Sequence, residues 1–283
     1  PADVNVDHKA LYLFLEIALS DLENDSGFIR PKIYPYLIHW VGWPLPRHYH
    51  PSLPLDPPEQ FSETPSGWFK FELNQGYLTN KHKAILCYPS QTRSSAFYLL
   101  AFARKNELFG NYPEVNLYGP SGDKEIVNTR KNSFTYFLTH LFREKDVHPD
   151  QDKLVMTGPV LPDWLSMKLE GDRLVISVKK AQYLFERLNS LFYVFGYGKN
   201  RPFATMPKIR IITKGKNFKV LDGRKLIKPD GTELVLNKDS LVLKMPVSLL
   251  GDPDFVLIAV RVYTGNLSFH TTGFHKVNLK ERK

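Results

Sequence analysis

Apolar side chains at Leu11, Phe14, Leu15, Ala18 and Leu22 recur at the three-four spacing that lines one face of a helix, and predict a helix over 8–22 with that face turned inward. Asp21 to Gly27 reads as its end. Arg30 to Val41 then reads as a proline-interrupted extended segment leading into a loop that runs to about Trp68. Within that loop Pro44, Pro46, Pro51, Pro54, Pro57, Pro58 and Pro65 each remove a backbone donor, which excludes helix and central strand. Thr79 or Asn80 can cap a helix through Tyr88, and after Pro89 either Ser90 or Thr92 can cap a second helix ending near Phe109.

Beyond this the pattern changes. Gly110 to Asn132 is polar and turn-rich, Ser133 to Glu144 reads as a short amphipathic helix, and Lys145 to Lys153 is charged and interrupted by a proline. A domain boundary placed there divides the chain into residues 1–147 and 148–283. The second part reads as strands at 173–178, 191–196, 208–213, 234–236, 241–245 and 255–263, with Asp222-Gly223 and Asp230-Gly231 as turns. Short strands at this spacing predict an antiparallel β-sandwich, whose aromatic runs at 192–195 and 269–274 are read as core packing.

Composition narrows the function classes. The chain has 283 residues, of which 42% are hydrophobic and 24% charged, enough to fill a packed core. The formal net charge of +9 is spread out and accompanies no nucleic-acid-binding motif, so no nucleic-acid partner is expected. No apolar run is long enough to span a membrane, and no signal peptide is evident. The single cysteine, Cys87, excludes an intramolecular disulfide and a Cys-rich zinc site, and reads as a small buried hydrophobe.

The most informative local pattern is Pro1-Ala2-Asp3-Val4-Asn5-Val6-Asp7-His8 directly before the first helix. An Asp-His pair at a helix entrance suits a metal site and also suits a plain helix cap. The segment resembles the second motif of the PIG-L/LmbE-like N-deacetylases, an upstream Pro-x-Asp followed by His-Pro-Asp-His, with Asp7 and His8 matching the last two positions. Lys81, Lys83, Ala84 and Ile85, then Tyr88-Pro89-Ser90-Gln91 and Glu107-Leu108-Phe109, are similar to later segments of that family in order and spacing.

The resemblance implies an α/β fold, with the first domain the C-terminal part of a layered, largely parallel-sheet deacetylase domain. It implies zinc-dependent hydrolysis of an N-acetyl group on an amino-sugar-containing substrate, His8 as a zinc ligand and Asp7 as a carboxylate of the same site. Asn5 and Val6 stand where the family has His and Pro, so Asn5 can donate a hydrogen bond but not a proton at neutral pH. The family's first motif, His-Pro-Asp-Asp, is not found before this segment. His148-Pro149-Asp150-Gln151-Asp152 follows a charged run rather than an apolar strand and reads as a turn. The resemblance therefore implies a partner segment carrying the remaining ligands, without which the 283-residue chain is expected to be inactive and to hold zinc poorly.

His39, Trp40 and Trp43 form the other concentration of chemistry. Aromatic faces stack on sugar rings while histidine fixes hydroxyls, so these three are candidate substrate-binding residues beside ordinary loop packing. His48 and His50 are a weaker candidate metal pair. The alternative function is a non-catalytic glycan- or protein-binding protein built on the sandwich.

Overall fold

The computed structural model describes residues 1–23, 25–58, 61, 67–112, 114–117, 164–179, 188–199, 201–265 and 267–280. The boundary at 147/148, the helix expected at 133–144 and the His148 to Asp152 turn all lie outside these residues.

Two sheets dominate. One has four strands in the order β10 (Glu233–Leu236), β11 (Ser240–Pro246), β5 (Arg173–Lys179), β4 (Leu165–Glu170). The other has eight. It runs from β3 (Val115–Asn116) through β14 (His275–Asn278), β12 (Phe255–Thr264), β6 (Asn189–Tyr197), β7 (Lys208–Lys214) and β8 (Asn217–Asp222) to β9 (Lys225–Ile227), with β13 (Leu267–Thr271) also on β12. Leu174, Ile176, Leu241 and Leu243 of the smaller sheet share one buried cluster with Phe192, Val194, Ile209, Ile211, Val256 and Ile258 of the larger. This is the packing of a β-sandwich, whose inward residues alternate along β6, β7 and β11.

The strand β12 departs from that alternation: Phe255 to Val260 are buried without a break. Such a run needs cover on both faces. Val256, Ile258, Val260 and Val262 face the other sheet, whereas Phe255, Leu257 and Ala259 belong to a second cluster with Tyr12, Leu13 and Ile17 of helix α1 (Val6–Leu22). Helix α1 is thus laid across the outside of the sandwich. It is pinned there by Tyr197 Oη donating to Asp21, and by the buried Lys276 Nζ donating to Ser20 Oγ at 2.9 Å.

The expected largely parallel α/β domain is not present. The protein is β-rich, its strand pairs are antiparallel, and among the described residues only β3 and β14 run parallel. The helical reading to Phe109 fails for a local reason. After α2 (Gln75–Leu86, capped by Asn74) and α3 (Pro89–Leu99), the chain turns at Ala103, and 106–110 becomes strand β2. It pairs antiparallel with β1 (Trp68–Glu72), Trp68 opposite Gly110. The side chain of Asn106, fully buried, fixes this strand to the proline-rich loop by accepting from Leu55 N–H at 2.8 Å and donating to Leu55 C=O at 3.0 Å.

Two burial expectations are also reversed. Cys87 is exposed at the end of α2. On α1 the buried positions are Tyr12, Glu16, Leu19 and Ser20, while Leu11 is 70% and Phe14 51% exposed. Glu16 can be buried because Arg30 Nη2 meets its carboxylate at 2.5 Å.

Candidate metal centre

The site begins with a backbone cradle around one carboxylate. Asp3 is only 2% exposed. Its Oδ2 accepts from the N–H of Ile38 at 3.0 Å and of His39 at 2.8 Å, and its Oδ1 accepts from the N–H of Asn5 at 2.8 Å. Burial would raise the Asp3 carboxyl, but the donors from His39, Asn5, the His8 ring and Ile38 outweigh it and hold the group below its ordinary value. Asp3 is therefore a fixed anion.

Two elements bring histidines to it. Asn5 caps α1, its side-chain oxygen accepting from Asp7 N–H at 2.8 Å, so His8 falls in the first turn with Nδ1 3.0 Å from Asp3 Oδ2. His39 arrives on the extended segment after Arg30. That segment is held to β2 by a bridge between Tyr36 and Phe109 and by Gly110 N–H donating to Pro35 C=O at 2.8 Å, and to the chain start by Val4 N–H donating to His39 C=O at 3.0 Å. His39 Nδ1 stands 3.5 Å from Asp3 Oδ1 and is buried with no hydrogen-bond partner. The two imidazole rings are 4.8 Å apart.

One ligand atom each from Asp3, His8 and His39 can be chosen so that all lie within 4.8 Å of one another, and the group can hold a metal ion. Two imidazoles and a carboxylate suit a borderline divalent ion, and the unpartnered His39 Nδ1 is a donor atom without another use. Tyr98 closes one side: its ring stacks on His39 at 6.1 Å and 27°, and its hydroxyl donates to Ile38 C=O. Burial pushes the Tyr98 phenol up to about 12, with Arg47 pulling it down and Asp3 pushing it up. No family model matches the chain, and no curated protein matches it.

Of the residues named from sequence, the structure brings His8 and His39 together. Asn5 is the helix cap and Asp7 is an exposed carboxylate in the first turn. Trp40 is half-buried with its ring 4.5 Å from Phe61. Trp43 points inward, edge-on to Phe102 at 5.3 Å, its Nε1 donating to Asp56 C=O at 2.8 Å. His48 adopts a left-handed backbone with φ +72° beside Phe97, and His50 is half-buried; neither joins the metal group. Sequence reasoning missed Asp3. Its only signal was a carboxylate in the Pro-x-Asp lead-in, five residues before His8.

Two segments of the resemblance do meet: Lys81 of α2 and Glu107 of β2 form an ion pair at 2.7 Å, and Tyr36 Oη donates to the same carboxylate at 3.1 Å. Burial lowers the Lys81 ammonium, while Glu107 opposes that shift. The pair fastens α2 to the strand beside which the His39 segment lies.

Proposed function

We propose that this protein is a zinc-dependent hydrolase that removes an N-acetyl group from an amino-sugar-containing substrate, with Asp3, His8 and His39 as the metal ligands. The observation that carries the reading is the meeting of one buried carboxylate and two histidines, one of whose ring nitrogens is buried and unpartnered. Zinc bound there would supply Lewis acidity toward an amide carbonyl and lower the pKa of a water.

The remaining work belongs to the chain's own groups. Asp3 keeps its charge because three backbone N–H groups solvate it in place of water, and it aligns both imidazoles at once. Asp7, exposed one residue before His8, is the carboxylate that the resemblance assigns to the same site. Tyr98 shields one face of His39 from solvent. The acetylated amino sugar as substrate rests on the resemblance in the Asp7-His8 and Glu107 segments. In this reading all three ligands come from this chain, so zinc binding does not require the partner segment that the resemblance implies.

The test reads metal before chemistry. Purified protein equilibrated with zinc and freed of excess is expected to retain about one ion per chain, as a single three-ligand site requires. His8→Ala and His39→Ala are each expected to lose it while keeping the wild-type circular dichroism. Acetate release from N-acetylglucosamine conjugates is expected from the loaded protein and not from either variant. Full zinc retention in His39→Ala would overturn the ligand set, and a loaded protein without acetate release would overturn the hydrolase.

A further inference from the structure

Arg47 stands out in the wall of this site. Its guanidinium lies over the Tyr98 ring at 4.7 Å, on the ring that stacks at 6.1 Å on His39. Its separation from the His39 ring is therefore at most the sum of those two distances. A guanidinium this placed normally meets a carboxylate, but Arg47 has none among the described residues. Its hydrogen bond is from Nη1 to Trp43 C=O, at 3.3 Å.

The loop that carries Arg47 is firmly built. Trp43 is anchored inward through Asp56, the buried Arg104 donates through Nη2 to Pro46 C=O, and His48 N–H donates to Phe97 C=O at 2.7 Å. On both sides of Arg47 the backbone is thus tied to the body of the protein, and the left-handed backbone at His48 turns the chain just after it. Arg47 is half-buried, and with one donor used on Trp43 and its plane resting on Tyr98 the rest of its fork is open to a bound anion.

Further positive charge lies near the centre. Lys9, next to His8 and partly buried, is within electrostatic reach of Asp3 and of Arg261, and the N-terminal end of the 17-residue helix α1 adds partial positive charge. Asp7 in the same first turn opposes these charges, so the anion is assigned to the Arg47 fork and not to the field as a whole.

We infer that Arg47 is a specificity-determining residue that binds an anionic group, carboxylate or phosphate, carried by the substrate on the side of the metal centre walled by Tyr98. This rests on the hydrolase reading and narrows its substrate class to acidic amino-sugar derivatives. Stacking on Tyr98 holds the guanidinium plane, and the donors not used on Trp43 form the planar fork that meets two oxygens of one anion.

The experiment uses the whole chain loaded with zinc and measures binding by calorimetry. The probes are N-acetylmuramic acid (carboxylate), N-acetylglucosamine 6-phosphate (phosphate) and neutral N-acetylglucosamine, so the first two arms separate the sources of negative charge. At least one acidic sugar is expected to bind about tenfold or more tighter than the neutral one. Arg47→Gln is expected to remove that advantage without changing zinc content or affinity for the neutral sugar, and Arg47→Lys to restore part of it. Equal binding of all three sugars, or an advantage that survives Arg47→Gln, would overturn the inference. Zinc content reports on the hydrolase reading separately: discrimination through Arg47 in protein that holds no zinc would leave this inference standing and remove that reading.

Discussion

His39 meets Asp3 at two places, its backbone N–H donating to Oδ2 at 2.8 Å while its ring Nδ1, without a hydrogen bond, stands 3.5 Å from Oδ1. The main-chain contact fixes where the segment carrying His39 lies, and the side-chain contact fixes what the imidazole faces. One carboxylate therefore clamps the segment and faces the imidazole, and the structural contact and the proposed metal ligation separate on substitution.

Asp3→Ala leaves the N–H groups of Asn5, Ile38 and His39 without their acceptor, and each orphaned buried donor costs about 1–3 kcal/mol. A loss of roughly 3 kcal/mol or more in unfolding free energy is expected by urea denaturation. Asp3→Asn keeps an oxygen for some of these donors but lacks the charge. It is expected to retain most of the stability and to lose zinc. Asp3→Asn protein that binds zinc like the wild type would exclude Asp3 as a ligand.

His275 gives the protein an acid-sensitive element near the chain's first residue, whose ammonium adds to burial in lowering its pKa. It is 3% exposed on β14, 5.7 Å from the Tyr112 ring, and burial holds its pKa down at about 4 from an ordinary 6.5. The folded pKa lies below the unfolded one, so between these values the unfolded chain binds the extra proton. Stability from this residue is complete above about pH 6.5 and falls as the pH drops toward about 4, by on the order of 3 kcal/mol. His275→Phe is expected to flatten the slope of unfolding free energy between pH 7 and 4.5. An unchanged slope would assign the acid sensitivity to other groups.

How much of this was legible in sequence follows from the range of each interaction. The six expected strands fall within β5, β6, β7, β10, β11 and β12, since alternation and turn residues are local signals. His8 was recognisable because its helix and its neighbour Asp7 are local too. Asp3 was not, because its partners Ile38 and His39 lie 35 and 36 residues away. The inward face of α1 was misread for a related reason: periodicity counts Glu16 as a solvent position, and its burial is made tolerable by Arg30, 14 residues on, together with the Tyr12 hydroxyl. The helix expected to reach Phe109 yields to a strand because Trp68 to Glu72 offers it a pairing edge that no local propensity encodes.

Trp40 and Trp43 were read together as a sugar-stacking pair, and their surroundings now predict different behaviour. Trp43 is 8% exposed in a cluster with Leu37, Leu55, Phe102 and Leu108, and its Nε1 satisfies the Asp56 carbonyl. Trp43→Ala is expected to cost about 3–5 kcal/mol by urea denaturation, the range for removing a buried large aromatic. That loss also frees the loop bearing Arg47, so zinc and sugar affinity should fall with stability. Trp40 keeps a partly exposed face while its ring leans on Phe61 at 4.5 Å, so Trp40→Ala removes less buried area. It is expected to cost under about 2 kcal/mol and to leave zinc bound. If that exposed face stacks on sugar, Trp40→Ala weakens N-acetylglucosamine binding while Trp40→Phe retains most of it, because a smaller aromatic still presents a ring face. Unchanged sugar affinity in a folded, zinc-loaded Trp40→Ala protein would confine both tryptophans to packing.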